Sequence, residues 1–200
     1  MSNNQLQTGK DDCSRIVVGQ SPYDAEDKRY NYEGYQFTRP AFIVSDKAAN
    51  SNLITLTRVL DKIVGPKQAE SYITNYDSQK IVTDLTTNGV YLANIKDDLE
   101  KLLSLAICGN QKIKFLLFGS KAIDAFKNIK PQNNIEIYTY PHPSPRNNGI
   151  YRAIDSGKKS KYNKREYSTP KEIKKDFTIK ELNVEPSVPY TENNTKTDIE

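Results

Sequence analysis

Short apolar runs alternate with amphipathic stretches along residues 15–150, and this alternation constrains the fold more than any other feature of the chain. The runs are typical of buried strands and cover residues 16–18, 90–93, 115–118 and 135–140. Apolar side chains recur at helical spacing over residues 51–64, 96–108 and 120–129. Strand alternating with helix indicates a parallel sheet covered by helices. We therefore predict an α/β fold with three α/β/α layers around a central four-stranded parallel sheet.

The ends of the chain have a different character. Residues 1–14 contain no apolar run, and we expect them to be disordered. Residues 156–165 hold five basic side chains and no acidic one, whereas residues 181–200 hold five acidic side chains and one lysine. Segments with few apolar residues and high charge bury too little surface to fold. We predict one domain over residues 15–150, followed by a flexible tail over residues 151–200.

The composition favours a cytoplasmic protein that uses neither a metal nor another cofactor. The 200-residue chain is 36% hydrophobic and 27% charged, with a net charge of +4, which permits weak attraction to nucleic acid without demonstrating it. Two cysteines, Cys13 and Cys108, are too few and too isolated for a disulfide framework or a metal site. We find neither a signal-peptide core nor an apolar run long enough to span a membrane, so no membrane partner is expected.

His142 is the only histidine, and it lies in a proline-rich loop, PHPSP, directly after the fourth predicted strand. Each proline fixes its own φ and restricts the residue before it, so this loop has few conformations. A neutral imidazole held in this way offers one N–H donor at a set position. A turn that only ends the strand fits the same residues. The loop by itself leaves both interpretations open.

Distinctive residues follow all four predicted strands, at the edge where parallel sheets bind ligands. The first strand leads into GQSPYD (19–24) and GYQF (34–37), and the later strands end in YLAN (91–94), FGS (118–120) and HPSPR (142–146). In order and setting, these sequences resemble the motifs of the uracil-DNA glycosylase superfamily. They are most similar to family one, whose first motif reads GQDPYH and whose last reads HPSPL. The resemblance covers about two-thirds of the chain, from Arg15 to Gly149.

The resemblance implies a DNA glycosylase that flips uracil or another modified base out of the duplex and hydrolyses its N-glycosidic bond. His142 would donate to O2 of the departing base. Asn94 would read the pyrimidine edge with its amide and support catalysis, and Phe37 would stack on the base. Gln20 belongs to the same base-binding set, and Tyr23 resembles the gate that excludes a 5-methyl group. Ordinary structural roles fit as well: a strand-end turn for Asn94, core packing for Phe37 and turn packing for Tyr23.

The resemblance also implies that small residues grip the DNA phosphates. Ser51, Ser120 and Ser144 match these positions, although each is equally an ordinary cap or turn serine, with Ser51 a plausible N-cap. Arg146 replaces the leucine that fills the gap in the base stack, where a guanidinium can also wedge or stack. The basic segment, residues 156–165, is either a phosphate contact or a solvated linker. DNA is the expected partner of a monomer, and a proteinaceous glycosylase inhibitor is a further partner that the resemblance implies.

One departure from the family pattern bears on catalysis. Ser21 occupies the position of an aspartate that positions the attacking water and stabilises the cationic sugar. A serine carries no negative charge, so we expect attenuated or altered catalysis. Asp24, in place of the family's histidine, adds a carboxylate nearby. Two interpretations therefore stay open: a DNA glycosylase with altered activity, or a catalytically inactive glycosylase-like protein that binds DNA or acts as a decoy.

Overall fold

The computed structural model describes residues 6–8, 12–20, 35–43, 50–108, 110–158, 161–162 and 165–179. Its central sheet consists of β1 (Ser14–Gly19), β2 (Val90–Asn94), β3 (Ile113–Phe118) and β4 (Ile135–Tyr140). These strands are all parallel, in the order β2-β1-β3-β4. Val17 pairs with Leu92 on one side and Leu116 on the other. The predicted four-stranded parallel sheet is confirmed.

Helices cover both faces of this sheet. They are α1 (Asn50–Val64), α2 (Pro66–Thr74), α3 (Ser78–Thr87), α4 (Ile95–Cys108), α5 (Ser120–Phe126), α6 (Asn148–Asp155) and α7 (Pro170–Phe177). One apolar cluster joins the sheet to α1, α2, α3, α6 and α7, and a second joins it to α4 and α5. The three-layer α/β/α architecture is therefore confirmed. No helix in the described ranges is long and apolar enough to cross a membrane.

Successive side chains of the strands point to opposite layers. Val17 and Leu116 are buried in the cluster that contains α1, whereas Ile16 and Phe115 are buried in the cluster that contains α4. Burial on both faces explains why these strands are almost continuously apolar in the sequence. Each such side chain contributes roughly 1.5–3 kcal/mol to folding by leaving water.

Two helices between α1 and β2 were not predicted: the sequence pattern ends a helix at residues 65–66 and indicates no further helix before the strand at residues 90–93. Gly65 does end α1, with φ of 78°, but Pro66 is also the first residue of α2. Proline is favoured there because the first helical N–H has no intrahelical partner. Asp77 then caps α3 by accepting from the Lys80 N–H at 2.9 Å. Both start signals are local and were available in the sequence.

The domain extends beyond the predicted boundary at residue 150. Helix α6 runs through that boundary to Asp155, and α7 buries Ile173 and Phe177 completely. These two residues are four apart and form one apolar stripe, while Thr169 and Glu172 make a capping box. The prediction of a flexible tail from residue 151 is therefore wrong for the described residues up to 179. Residues 180–200 lie outside the described part.

The predicted disorder of residues 1–14 is also wrong where the structure describes them. Leu6 is buried, and the Gln7 N–H donates to the Tyr91 hydroxyl at 2.7 Å. Cys13 is fully buried, and Ser14 already belongs to β1. These residues pack against the sheet although too few of them are apolar to form a run.

Candidate active site at the carboxyl edge of the sheet

The parallel register brings the carboxyl ends of the four strands to one edge. Gly19 pairs with Asn94, and Phe118 pairs with Tyr140. Gln20 follows β1 directly, and His142 lies two residues beyond β4. Among the described residues, the edge thus brings together Gln20, Asn94 and His142. Asn94 ends β2 and His142 follows β4, which are the two outer strands, and the axes of these strands are three interstrand spacings apart, or about 14 Å.

His142 is held in one tautomer by its own loop. Its Nδ1 atom accepts a hydrogen bond from the Ser144 N–H at 3.1 Å, and its carbonyl accepts from Nδ2 of Asn147 at 3.1 Å. A ring nitrogen that accepts a hydrogen bond carries no proton, so in the neutral ring the proton resides on Nε2. Burial lowers the pKa of His142 below its ordinary value. The loop therefore presents a neutral imidazole with an Nε2–H donor.

Glycine at position 119 lets this imidazole lie close to the end of β3. Gly119 has φ of 85°, and its N–H donates to the Tyr140 carbonyl at 2.9 Å. A Cβ atom at this position would lie 3.0 Å from Cβ and 3.1 Å from Cδ2 of His142. Both the backbone conformation and the available space thus require glycine.

An aromatic ring occupies the corresponding place at the end of β1. A Cβ atom on Gly19 would lie 2.8 Å from Cζ of Phe42, whose ring also packs edge-on against Phe118 at 5.6 Å between centroids. Phe42 has φ of 68°, a conformation that costs a bulky residue about 1–3 kcal/mol and is concentrated at functional sites. Because β1 and β3 are neighbours, the rings of Phe42 and His142 cover adjacent strand ends. Phe42 was not predicted from the sequence, since a positive φ leaves no mark on a phenylalanine.

Phe37, the predicted base-stacking residue, lies in the core. It is 4% exposed and belongs to the cluster on the α4 side of the sheet. Its ring packs edge-on against Tyr35 and Tyr91, and Nζ of Lys101 lies 5.1 Å from its centre. The structure thus gives Phe37 the core-packing role that the sequence had left open.

Asn94 has structural partners for both ends of its amide. Its Oδ1 accepts from the Asp97 N–H at 2.9 Å at the start of α4, and its Nδ2 donates to the Arg39 carbonyl at 3.2 Å. The residue is fully buried. To read a base edge, the amide must share or exchange one of these hydrogen bonds.

Three of the predicted DNA-binding residues lie at this edge. Ser120 begins α5 and is exposed. Ser144 caps the short 3₁₀ turn Pro145–Asn147 by accepting from the Arg146 N–H at 3.3 Å. The Arg146 side chain is exposed next to it. These positions are compatible with DNA contacts and equally with the cap and turn roles.

The remaining predicted residues fall wholly or partly outside the described part of the chain. Ser21, Tyr23 and Asp24 lie outside it. Ser51 has a described backbone, which places it inside the first turn of α1 and not at the N-cap, because the helix begins at Asn50. The structure thus describes His142, Asn94 and Gln20 and not the variant part of the first motif.

The basic segment folds back beside the carboxyl end of β4. Its strands, β5 (Lys161–Tyr162) and β6 (Arg165–Glu166), form an antiparallel hairpin. Thr139 of β4 accepts from the Ser168 N–H at 2.9 Å and donates its hydroxyl to the Glu166 carbonyl at 3.0 Å. One guanidinium nitrogen of Arg165, Nη2, donates to both carboxylate oxygens of Asp124 in α5, at 3.0 and 2.8 Å. The segment is therefore attached to the same side of the domain as the His142 loop.

Arg58 of α1 was missed by the sequence analysis and contacts the His142 loop directly. Its guanidinium donates to the Pro143 carbonyl at 2.9 Å and to the Ser144 carbonyl at 3.1 Å. These partners are 85 and 86 residues away in the chain, so no local pattern connects them.

No group of three or more His, Cys, Asp or Glu side chains that could hold a metal ion occurs among the described residues. A scan against protein-family models found no matching family, and a search of curated proteins found no significant relative. The resemblance to uracil-DNA glycosylases therefore rests on the motifs and stays a prediction.

Proposed function

We propose that this protein is a DNA glycosylase that flips uracil or another modified base into the carboxyl edge of its sheet and hydrolyses the N-glycosidic bond. The observation that carries the proposal is the His142 ring, whose Nδ1 accepts from the Ser144 N–H and whose Nε2–H is thereby set as a donor. Bond cleavage leaves negative charge on the base. A donor preorganised at O2 of that base lowers the barrier by about 3–4 kcal/mol in comparable oxyanion sites.

The reaction needs no change in the protonation state of His142. Water adds to C1′ of the sugar, the electrons of the glycosidic bond leave with the base, and the proton released by water passes to the base or to solvent. The ring of Phe42 covers the neighbouring strand end but is 3% exposed and packs in the core, so it can contact a flipped base only if the packing around it opens. Asn94 would read the pyrimidine edge after exchanging one of its present hydrogen bonds.

DNA phosphates would lie along the same edge. Ser120 and Arg146 are exposed there; Lys158 and Lys161 of the basic segment are exposed as well, and Lys161 pairs with Glu166. Cationic side chains attract phosphates in a sequence-independent and salt-dependent manner. The protein would act as a monomer in the reducing cytoplasm, where Cys13 and Cys108 remain reduced thiols. A proteinaceous glycosylase inhibitor would bind this same edge.

The test is a base-release assay. Purified protein is incubated with oligonucleotides carrying uracil, hypoxanthine or 5-modified pyrimidines, and abasic sites are scored by alkaline cleavage. We expect abasic sites on at least one substrate and their loss in His142→Ala. The absence of abasic sites on every substrate, with DNA binding retained, refutes the enzyme. Ser21→Asp restores the family's carboxylate, and a large rise on uracil would indicate a pocket that is otherwise intact.

A catalytically inactive DNA-binding or decoy protein is the second candidate. Asn94 favours it, because a fully buried amide that is bonded at both ends is not presented to a base. Ser21 favours it too, since a hydroxyl does not stabilise a cationic sugar as a carboxylate does. Under this function, oligonucleotides bind with an affinity that falls with salt, no substrate yields abasic sites, and Ser21→Asp changes neither result.

A further inference from the structure

Arg58 lies on α1, facing the loop that follows β4. Beyond its two bonds to the Pro143 and Ser144 carbonyls, its guanidinium donates to Oδ1 of Asn148 at 2.7 Å. The guanidinium also lies 5.0 Å from the centre of the Tyr151 ring, and the Tyr151 hydroxyl donates back to the Arg58 carbonyl at 3.1 Å. The Arg58 guanidinium is planar, donates several hydrogen bonds and stacks on an aromatic ring, so it has little freedom to move.

One peptide unit links Arg58 to the imidazole. The carbonyl of Pro143 and the N–H of Ser144 belong to the same peptide bond, which is planar. Arg58 holds the oxygen of this unit at 2.9 Å, and the N–H at its other end donates to Nδ1 of His142 at 3.1 Å. Fixing the direction of the oxygen therefore fixes the direction in which the N–H points.

We propose that Arg58 is a positioning residue that orients the Pro143–Ser144 peptide toward Nδ1 of His142 and so keeps the imidazole as the Nε2–H donor. Without the guanidinium, the peptide can rotate, the bond to Nδ1 is lost, and either ring nitrogen can carry the proton. The effect on base excision rests on the proposed function. The effect on the His142 ring does not.

The single histidine makes this proposal measurable without any activity. A long-range proton–nitrogen correlation spectrum of nitrogen-labelled protein contains the signals of one imidazole, and these report its tautomer directly. We expect the Nε2–H tautomer in the wild type. In Arg58→Ala we expect a mixture of tautomers and a pKa of His142 closer to its ordinary value. If excision is detected, its rate should fall by roughly 10–100-fold with little change in KM.

A cavity of about 560 Å³ lies beside Arg58 and permits a rescue experiment. Its walls include Thr57, Arg58, Ala69, Ile73, Tyr151 and Arg152. In Arg58→Ala, added guanidinium ion, at concentrations far below those that unfold proteins, can enter from this cavity and replace the lost donors. We expect it to restore the wild-type tautomer. Arg152→Ala, which removes a guanidinium from the wall of the same cavity, is the matched control and should leave the tautomer unchanged.

The outcomes are distinct. An unchanged tautomer and pKa of His142 in folded Arg58→Ala overturns the proposal, whether or not the protein excises a base. If Arg58→Ala does not fold, Arg58→Met keeps the aliphatic stem against Tyr151 and removes the donors, and the same readout applies. A wild-type protein that shows the Nε2–H tautomer but releases no base leaves the role of Arg58 intact and refutes only the glycosylase.

Discussion

Gly119 and His142 are in such close contact that no side chain larger than hydrogen fits between them. A Cβ atom on Gly119 would lie 3.0 Å from Cβ of His142, and φ at Gly119 is 85°. We expect Gly119→Ala to lower the free energy of unfolding by about 1–2 kcal/mol from the backbone alone and to displace the imidazole. Base excision should fall by roughly 10–100-fold, measured under single-turnover conditions.

Gly157→Ala is the matched control for this substitution. Gly157 has φ of 72°, but a Cβ atom there would meet no atom of the described residues within 4 Å. Gly157→Ala should therefore lower the free energy of unfolding by the same backbone contribution and leave the excision rate unchanged. Equal loss of activity in both variants would mean that the space beside His142 does not matter.

The titration of His142 follows from its burial. Burial lowers its pKa below the ordinary value of 6.5. A depressed pKa in the folded state means that this group contributes stability above pH 6.5, which is lost as the pH falls through the folded-state pKa. We expect excision to be constant from neutral pH down past 6.5 and to decline only below it, as the protonated ring gives up the Nδ1 bond. An NMR titration of the single imidazole checks this, and a pKa at or above 6.5 would contradict it.

Substitutions at Asn94 separate capping from base recognition. Serine retains an acceptor for the Asp97 N–H but has no amide, whereas alanine retains neither. We expect Asn94→Ala to lower the unfolding free energy by about 0.5–2 kcal/mol and Asn94→Ser by less. If Asn94 reads the base, both variants lose excision to a similar extent, by at least about 10-fold. If instead the excision rates of the two variants fall in the same order as their unfolding free energies, with Asn94→Ser close to wild type, Asn94 serves only to cap α4.

Phe177 tests whether α7 belongs to the folded domain. It is completely buried, and its ring packs edge-on against Tyr138 at 5.4 Å between centroids. We expect Phe177→Ala to lower the unfolding free energy by about 3–5 kcal/mol in urea denaturation. Ile107→Ala is the control, because Ile107 is 46% exposed and its truncation should change stability by no more than about 0.5 kcal/mol. A value for Phe177→Ala near that of the control would mean that α7 is detached in solution.

Helix α7 folds onto the domain although its sequence is highly charged, because one of its charged side chains, Asp176, pairs with Lys114 of β3. Nζ of Lys114 lies 2.7 Å from Oδ1 of Asp176 across a largely buried contact. Burial by itself would raise the pKa of Asp176, but hydrogen bonds from Lys114 and Tyr138 lower it. Likewise, burial opposes the charged form of Lys114, yet Asp176 raises its pKa. A charge count along the sequence treats these residues as solvated, whereas their pairing depends on strands and a helix that are far apart in the chain.

The sequence by itself determined the sheet and the edge at which the candidate site lies. An apolar run such as residues 115–118 is a local signal, and the strand that contains it, β3, is buried along its whole length, as expected for a central strand of a parallel sheet. The positions of Asn94 and His142 followed from the ends of those runs, because parallel strands share one carboxyl edge.

Tertiary structure decided what these side chains do. The Arg58 bonds to the His142 loop, the positive φ of Phe42 and the burial of α7 all depend on contacts between distant segments. Local periodicity carries no information about such partners, since it reports only which face of an element is apolar. The His142 loop combines both kinds of contact: the Ser144 N–H bond to Nδ1 is local to the loop, whereas the Arg58 bond to the Pro143 carbonyl comes from 85 residues away in the chain.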